Sequence, residues 1–557
     1  DMEFAQMHGV KVDNLGLKNL GIVNTCLNLV GKKMDDIDVN DLSIYQFLAL
    51  HKEYYHGIFQ VEEGLGKRVL QKIEPTKIDD IAASVSIARP GSYRFIDEYI
   101  NHKKGIEIKK VDNRISDILA QSNFVIIWQE QIMQLSRKMA RFTPQEADGL
   151  RRGIGKKIVA KVKEYKEKFI EGSIKNGFER GMVEDIWQTF EDSGNYLFNK
   201  SHGFSYSYLT AITCWLKALY TKEFFLSLLK MSKFESEPIQ EIAAIQQEMN
   251  HFGIKLLPPH IIKSDLDFSI EGADIRFGLG SIKGIAEKTI ERLSNFRDQY
   301  SNKFEIFAGA EDAQIPLSVI TPMIQAGSLE GFTQSRSKVT LESCVYKLLT
   351  QKEKKYALQL GADYNFDLLK IILDLKEKIK DEKGKPIISE KRFETIRKKY
   401  EPYKQIYLQN SKSEKLANYF YEKKLLGYSY SYKLRDIYLE KEPNLISIND
   451  IFDYHDNSVI FIGTVEEKRE SVSKKNKKYI KMKISDETGA VDVILFDFKI
   501  EDCRAVNNNK LPEEEDIVII RGDKKDNVVF ANNIGIQTQR IFCRLSELKE
   551  NKETFDK

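Results

Sequence analysis

The chain has 557 residues, with 86 lysines plus arginines against 83 aspartates plus glutamates and a net charge of +3. At roughly 100–200 residues per domain this length holds several domains, and the near balance of charge argues neither for nor against a nucleic-acid partner, so the placement of the charges matters more than their sum. No apolar run reaches the roughly 18 residues of a membrane span, and five scattered cysteines without a C-x-x-C pair disfavour a disulfide framework or a cysteine zinc site and suit a reducing, cytoplasmic setting.

In "HGVKVDNLGLKNL", Val10 and Val12 alternate with Lys11 and Asp13, which predicts a short strand turning at Gly16 into a helix that begins near Leu17. Asp13 beside Lys11 reads as a surface charge pair or as a metal ligand, and a metal centre for chemistry usually wants more than one carboxylate. Residues 46–265 are predicted to be mostly helical. Within them, Arg89 is held by Pro90-Gly91 in "IARPGS". In "FTPQEADGLRRGIGKK" the pattern places Thr143 at an N-cap, Pro144 at the first helical position and Glu146 three residues after the cap, which is a capping box.

That helix presents Arg151, Arg152, Lys156 and Lys157, with Arg152 and Lys156 on one face. A solvated basic face and a phosphate-binding face both fit. The two glycines at 153 and 155 cost a helix about 1 kcal/mol each relative to alanine, and close approach of a phosphate chain would explain them. Further on, Asn199, Lys200, Ser201 and His202 form a polar knot ahead of a long apolar-periodic helix. Lys200 and His202 can grip phosphate oxygens, and Tyr206 can stack on a base or sugar; a structural histidine and tyrosine are the plainer alternative.

A β-like stretch, "LDFSIEGADIRFGLG", opens a block over 266–335. Within this block "GSIKGIAEKTIERL" has the texture of a helix-hairpin-helix motif, with Gly280, Lys283, Gly284 and Lys288 as candidate phosphate contacts; backbone N–H groups at such a helix start carry no sequence information. Ala286 occupies the place of the usual second glycine, and a plain turn between helices also fits. Residues 336–450 form a lysine-rich helical connector. In "KYIKMKISDETGAVDVILF", Ile480, Met482 and Ile484 alternate with lysines before an Asp486–Gly489 turn, so residues 456–543 are predicted as an OB-type barrel, with a tail over 544–557. Lys478, Tyr479 and Lys481, with Lys474, Lys475, Lys477 and Lys483 near them, suit single-strand binding by stacking and charge, or a solvated hairpin.

The ordered segments KVDNLGLKNL, GIFQVEEGLG, IARPGSYRFIDEYINHKKG, IWQEQIMQL, LRRGIGKK, FNKSHGFSYSYLTAITCWLKALY and FGLGSIKGIAEKTI resemble the bacterial replicative DNA polymerase III alpha subunit family, from about residue 8 to 543. The resemblance implies a multidomain, mainly helical chain: the α/β end of a palm over 1–45, fingers over 46–265, a helix-hairpin-helix region, the connector and the OB-type barrel. It implies that Asp13 is the last of three metal-binding aspartates, that Lys11 lies near the incoming nucleotide, and that Arg89, Arg151, Arg152, Lys156, Lys157, Lys200, His202 and Tyr206 surround the triphosphate. The activity implied is template-directed transfer from dNTPs to a primer 3′-hydroxyl with two Mg²⁺ ions.

The family's first two aspartates belong to a P-D-F-D-x-D motif that this sequence does not contain, so the chain is expected to be a C-terminal half, inactive alone and completed by an N-terminal palm and phosphoesterase half. Asp36 and Asp38 have the wrong spacing after the strand to replace them. Asn14, Ser92 and Thr221 stand where the family has phenylalanine, proline and proline. A sliding clamp is a possible partner through "QIYLQN" at Gln405, which lacks an aromatic end. Primer-template DNA is the expected substrate partner and no membrane is expected. The alternative is a non-catalytic primer-template-binding subunit, or an inactive remnant.

Overall fold

The computed structural model describes residues 16–89, 91–106, 111–155, 159–193, 196–285, 300–332, 335–472 and 478–537, with Thr289, Arg292 and Ile541 besides. The strand expected around Lys11 and Asp13 lies outside the described residues, as do Lys156, Lys157, Lys288, Lys474, Lys475 and Lys477. Two compact units divide the chain, Asp1–Met231 and Ser232–Lys557.

In the first unit the described elements are helical: α1 (Lys18–Val30), α2 (Leu42–Leu50), α3 (Gly64–Ile73), α4 (Ile78–Ile87), α5 (Ile96–Lys103), α6 (Ser116–Ala120), α7 (Gln129–Ala140), α8 (Pro144–Gly155), α9 (Val159–Lys175), α10 (Arg180–Ser193), α11 (Lys200–Leu219) and α12 (Thr221–Met231). Two apolar clusters organise them. One gathers Leu135, Met139, Leu150, Phe169, Trp187 and Phe190 from α7 to α10. The other gathers Val69, Ala83, Ile87, Tyr99, Trp128 and Phe198. Asp80, Ile81, Ala82, Ala83, Ser84, Ser86 and Ile87 of α4 are all buried, and α11 packs on this helix. Small side chains at four of those positions leave room for the second helix.

Asp80 is a carboxylate inside this packing. It accepts from the Thr76 N–H at 2.9 Å, the Thr76 hydroxyl at 3.1 Å and the Tyr99 hydroxyl at 2.9 Å, and pairs with Lys103 at 2.9 Å. Burial alone would raise its pKa, yet these donors and the ammonium hold it below the ordinary carboxylate value. The capping box expected at the start of α8 is present. Thr143 Oγ1 accepts the Glu146 N–H at 3.3 Å, and the Glu146 carboxylate accepts the Thr143 N–H at 2.9 Å.

The second unit begins with α13 (Pro238–His251) and a small sheet. Strand β1 (Leu256–Leu257) runs parallel to β3 (Asp274–Arg276), which pairs antiparallel with β2 (Ser269–Glu271). Helices α14 (Lys303–Asp312), α15 (Leu317–Gln325), α16 (Arg336–Tyr346), α17 (Gln351–Leu360), α18 (Leu368–Glu377), α19 (Glu390–Ser411), α20 (Glu414–Leu426) and α21 (Leu434–Tyr438) follow. Two buried ion pairs converge on α16. Arg336 binds Glu422 at 2.5 Å, and the opposite carboxylate oxygen of Glu422 accepts the N–H groups of Tyr430 and Ser431 at 2.8 and 3.0 Å. Lys303 pairs with Glu342, whose carboxyl burial pushes upward while the lysine opposes it. The segment from Gln405 lies inside α19, with Tyr407 buried and Leu408 exposed.

The last module is a closed five-stranded barrel of β4 (Ser458–Val472), β5 (Lys478–Ser485), β6 (Ala490–Phe496), β7 (Ile517–Lys525) and β8 (Val528–Ile536), in the order β4-β5-β6-β8-β7. Pairing is antiparallel throughout except β6 with β8, and β4 closes the barrel on β7. Helix α22 (Asp497–Val506) fills the connection between β6 and β7. This is the OB-type arrangement. The alternation seen in sequence holds: Ile480, Met482 and Ile484 face the core with Val491, Val493 and Leu495.

Candidate nucleotide and nucleic-acid interfaces

In the first unit the site is assembled on one short piece of extended backbone. Trp128 and Phe198 form an isolated parallel bridge, in which Phe198 N–H donates to the Ile127 carbonyl at 3.0 Å and Gln129 N–H donates to the Phe198 carbonyl at 2.9 Å. The buried Gln131 side chain holds this peptide by accepting the N–H groups of Ile127 and Trp128 at 2.9 and 3.0 Å. The Trp128 indole N–H donates to Ser86 Oγ of α4 at 3.1 Å. The bridge therefore fixes where α11 starts.

The N-cap of α11 is Asn199, whose Oδ1 accepts the His202 N–H at 2.9 Å and whose Nδ2 donates to Glu130 at 2.7 Å. The other oxygen of Glu130 accepts the Lys200 N–H at 2.8 Å. Lys200, Ser201 and His202, expected as a knot ahead of the helix, thus form its first turn. The local reason is that Asn199 is the cap, so the helix begins at Lys200, earlier than expected.

Four expected site residues converge here. The Arg89 guanidinium lies 4.1 Å from the centre of the Phe198 ring, and Arg89 is exposed. The Lys200 ammonium lies 5.1 Å from the Trp128 ring and 5.5 Å from Phe204, and it bonds the Gln121 amide oxygen. The exposed His202 ring lies 5.4 Å from Phe198 and 4.3 Å from Tyr206, which in turn lies 5.2 Å from Phe59. Seating a cation on an aromatic face packs its stem and leaves its charge available to an anion.

Arg151 joins more loosely. It donates to Gln129 Oε1 at 3.1 Å, but its main partner is Asp148 at 2.7 Å, and Arg152 pairs with the same carboxylate at 2.8 Å. Arg151, then Arg152, hold Asp148 below its ordinary value. Gly153 is buried with Leu150 and Ile154 on the inner face of this helix.

The loop carrying Arg89 is fastened to the same strand. A Cβ on Gly91 would lie 1.9 Å from the Tyr196 ring, so only glycine fits, and Ser92 Oγ donates to the Tyr196 carbonyl at 3.0 Å. Arg94, not singled out from sequence, lies 5.3 Å from the Tyr196 ring. Glu130 and Gln129 were also missed. Their only sequence signal is position, next to the tryptophan that forms the bridge.

In the second unit the N–H of Gly280 is spent on the Leu266 carbonyl at 2.9 Å, and that of Lys283 on Leu425 at 3.0 Å. Lys283 is exposed, and Gly284 takes φ 93° at an exposed turn. On the barrel, Lys478, Tyr479 and Lys481 lie on β5. Tyr479 stands directly opposite Phe496, and Lys481 pairs with Asp492 at 2.7 Å.

Three aromatic residues not identified in the sequence analysis complete that surface. The Phe496 ring stacks on Phe530 at 5.4 Å and 7°, and on Phe498 at 5.9 Å and 13°. Phe498 is 72% exposed, so an open ring face ends the stack. Among the described residues no group of three or more His, Cys, Asp or Glu could hold a metal ion, and no helix is long and apolar enough to cross a membrane.

Residues 19–177 match the family model of the bacterial DNA polymerase III alpha subunit finger domain, and residues 253–339 match a helix-hairpin-helix motif. The DNA polymerase III alpha subunit of Aquifex aeolicus is 34% identical over 350 residues, 60% of this chain and 29% of that protein. Those of Campylobacter jejuni and Buchnera aphidicola are each 28% identical, over 89% and 96% of this chain and 40% and 45% of theirs. The chain thus spans less than half the length of these relatives. With both family segments in place and the resemblance running nearly end to end, the chain is similar to bacterial DNA polymerase III alpha subunits over most of its length.

Proposed function

We propose that the chain is the fingers and DNA-handling portion of a replicative DNA-directed DNA polymerase, which transfers nucleotides from dNTPs to a primer 3′-hydroxyl. The observation that carries this is the seating of Arg89, Lys200, His202 and Tyr206 around the Trp128–Phe198 bridge, where Arg89 and Trp128 lie inside the segment that matches the finger model and Phe198, Lys200, His202 and Tyr206 follow it in the chain. In the transfer the primer oxygen bonds the α-phosphorus and pyrophosphate leaves, so negative charge grows on the leaving group. Cations already packed on rings meet that charge with little reorganisation. Arg89 and Lys200 bind phosphate oxygens, His202 donates to them, and Tyr206 supports the base or sugar. Arg151 and Arg152 with Lys156 and Lys157 extend the positive surface.

Divalent magnesium is the metal expected of such a reaction, two ions stabilising the attacking and leaving oxygens. The described residues do not form that centre. Asp13 is proposed as one ligand and Lys11 as its neighbour toward the nucleotide, with the remaining carboxylates supplied by a palm and phosphoesterase half. Primer-template DNA is proposed to meet Lys283, Gly284 and Lys288, and single-stranded template to meet Lys478, Tyr479 and Lys481; a sliding clamp is the weaker partner proposal.

Primer extension with Mg²⁺ and dNTPs tests this reading on the chain alone, on the chain with an N-terminal half from a relative, and on that mixture carrying Asp13→Asn. Extension only in the mixture, lost on substitution, is expected. Extension that survives Asp13→Asn removes the metal assignment. No extension anywhere, with tight primer-template binding by the chain, leaves a binding module instead.

A further inference from the structure

We propose that Gln60 contacts the base or sugar of the nucleotide held at Lys200, His202 and Tyr206; this inference rests on the nucleotide site proposed above. Gln60 has φ 65°, a left-handed conformation in which the Cβ of an L-residue crowds the following carbonyl. Elsewhere among the described residues of this unit, Glu74 and Arg141 take positive φ as C-terminal helix caps, where that conformation recurs, and Asn123 and Phe124 take it in the turn that follows α6. Gln60 stands in a turn, flanked by buried Phe59 and Val61, and is itself exposed.

The turn is held from several sides. Phe59 N–H donates to Thr213 Oγ1 at 3.1 Å and the Phe59 carbonyl accepts from Thr210 Oγ1 at 3.1 Å, so both come from the helix that carries Lys200, His202 and Tyr206. The Gly57 N–H donates to the Glu62 carboxylate at 3.0 Å. A Cβ on residue 66 would lie 2.4 Å from the Gln60 carbonyl oxygen, so Gly66 is required beneath it. Unfavourable backbone that its surroundings over-determine is concentrated at functional sites.

The placement suggests what Gln60 serves. Phe59 lies 5.2 Å from Tyr206 and Tyr206 lies 4.3 Å from His202, so exposed Gln60 follows directly on the residue that ends an aromatic row whose other end adjoins the cations. A neutral amide adds nothing to the attraction of phosphate. It offers one acceptor and two donors, which suits the polar edge of a base or a sugar hydroxyl.

Glycine at position 60 separates the two roles, because it adopts φ 65° without strain while removing the amide. The full chain and its Gln60→Gly, Gln60→Ala and Lys200→Ala variants are titrated in magnesium-containing buffer with a fluorescent mant-dATP and, separately, with inorganic tripolyphosphate. Gln60→Gly is expected to weaken mant-dATP about tenfold, the loss of one hydrogen bond, with tripolyphosphate unchanged and the melting temperature unchanged or higher. Lys200→Ala is expected to weaken both probes. If Gln60→Gly binds mant-dATP as the parent does, or loses tripolyphosphate equally, the inference is wrong while the site stands. If Lys200→Ala also changes neither probe, or the parent chain binds neither, the site reading fails and the inference with it.

Discussion

The helical site and the barrel surface both pair cations with aromatic rings, but in opposite ways. On the helices the cations sit on the rings: Arg89 on Phe198, and Lys200 on Trp128 beside a neutral amide. On the barrel the rings stack on each other while Lys481 is paired with Asp492. The first arrangement presents positive charge held in place by packing. The second presents an apolar ring face with much of the neighbouring charge compensated. The difference fits the proposal that the helices take polyphosphate and the barrel takes unstacked bases.

A third way of handling charge, full burial, sets the largest expected effect. Lys103→Met strands the buried Asp80 carboxylate and should destabilise the first unit by about 3–5 kcal/mol, read as an early transition in urea melts; Lys481→Met on the exposed barrel pair should stay within about 1 kcal/mol of the parent. Equal costs would erase the distinction between buried and exposed pairs. The pH dependence has a definite sign. Because the folded pKa of Asp80 is depressed, its contribution is complete above the unfolded carboxylate value near pH 4. It is lost as the pH falls through the lower folded value.

Next in size is Phe498→Ala. Stacking of a base on an aromatic ring is worth about 1–3 kcal/mol, so affinity for an oligo-dT single strand should fall by at least about fivefold, with little change in its dependence on salt. A fall accompanied by a shallower salt slope would mean that the barrel works by charge, as proposed for the helices. The smallest effect belongs to Asp492→Asn, which releases Lys481. Binding of the same strand should tighten less than about threefold, with the salt slope steeper by at most about one ion, as one added phosphate contact requires. No change in either would place Lys481 outside the binding surface.

Local pattern was enough for several features. The Thr143–Glu146 box and the start of α8 follow from groups three residues apart, and the β5–β6 hairpin follows from alternation that only one register can bury. The identities of Lys200, His202, Tyr206 and Arg89 were readable because charged and aromatic residues stand out against apolar periodicity. Their meeting was not readable. Arg89 reaches Phe198 only because Tyr196 fills the space over Gly91, and Lys200 is oriented by Glu130 from another helix.

Phe496, Phe498 and Phe530 come from β6, α22 and β8, and their stack exists only once the barrel closes. What the sequence by itself determined is therefore the start of α8, the strand alternation, the resemblance to the family and the chemical types available. Which cations sit on rings, which are neutralised, and which amide is held out at φ 65° were decided by the tertiary structure. These properties belong to groups far apart in the chain, and burial and packing set their energies only after the backbone has brought them together.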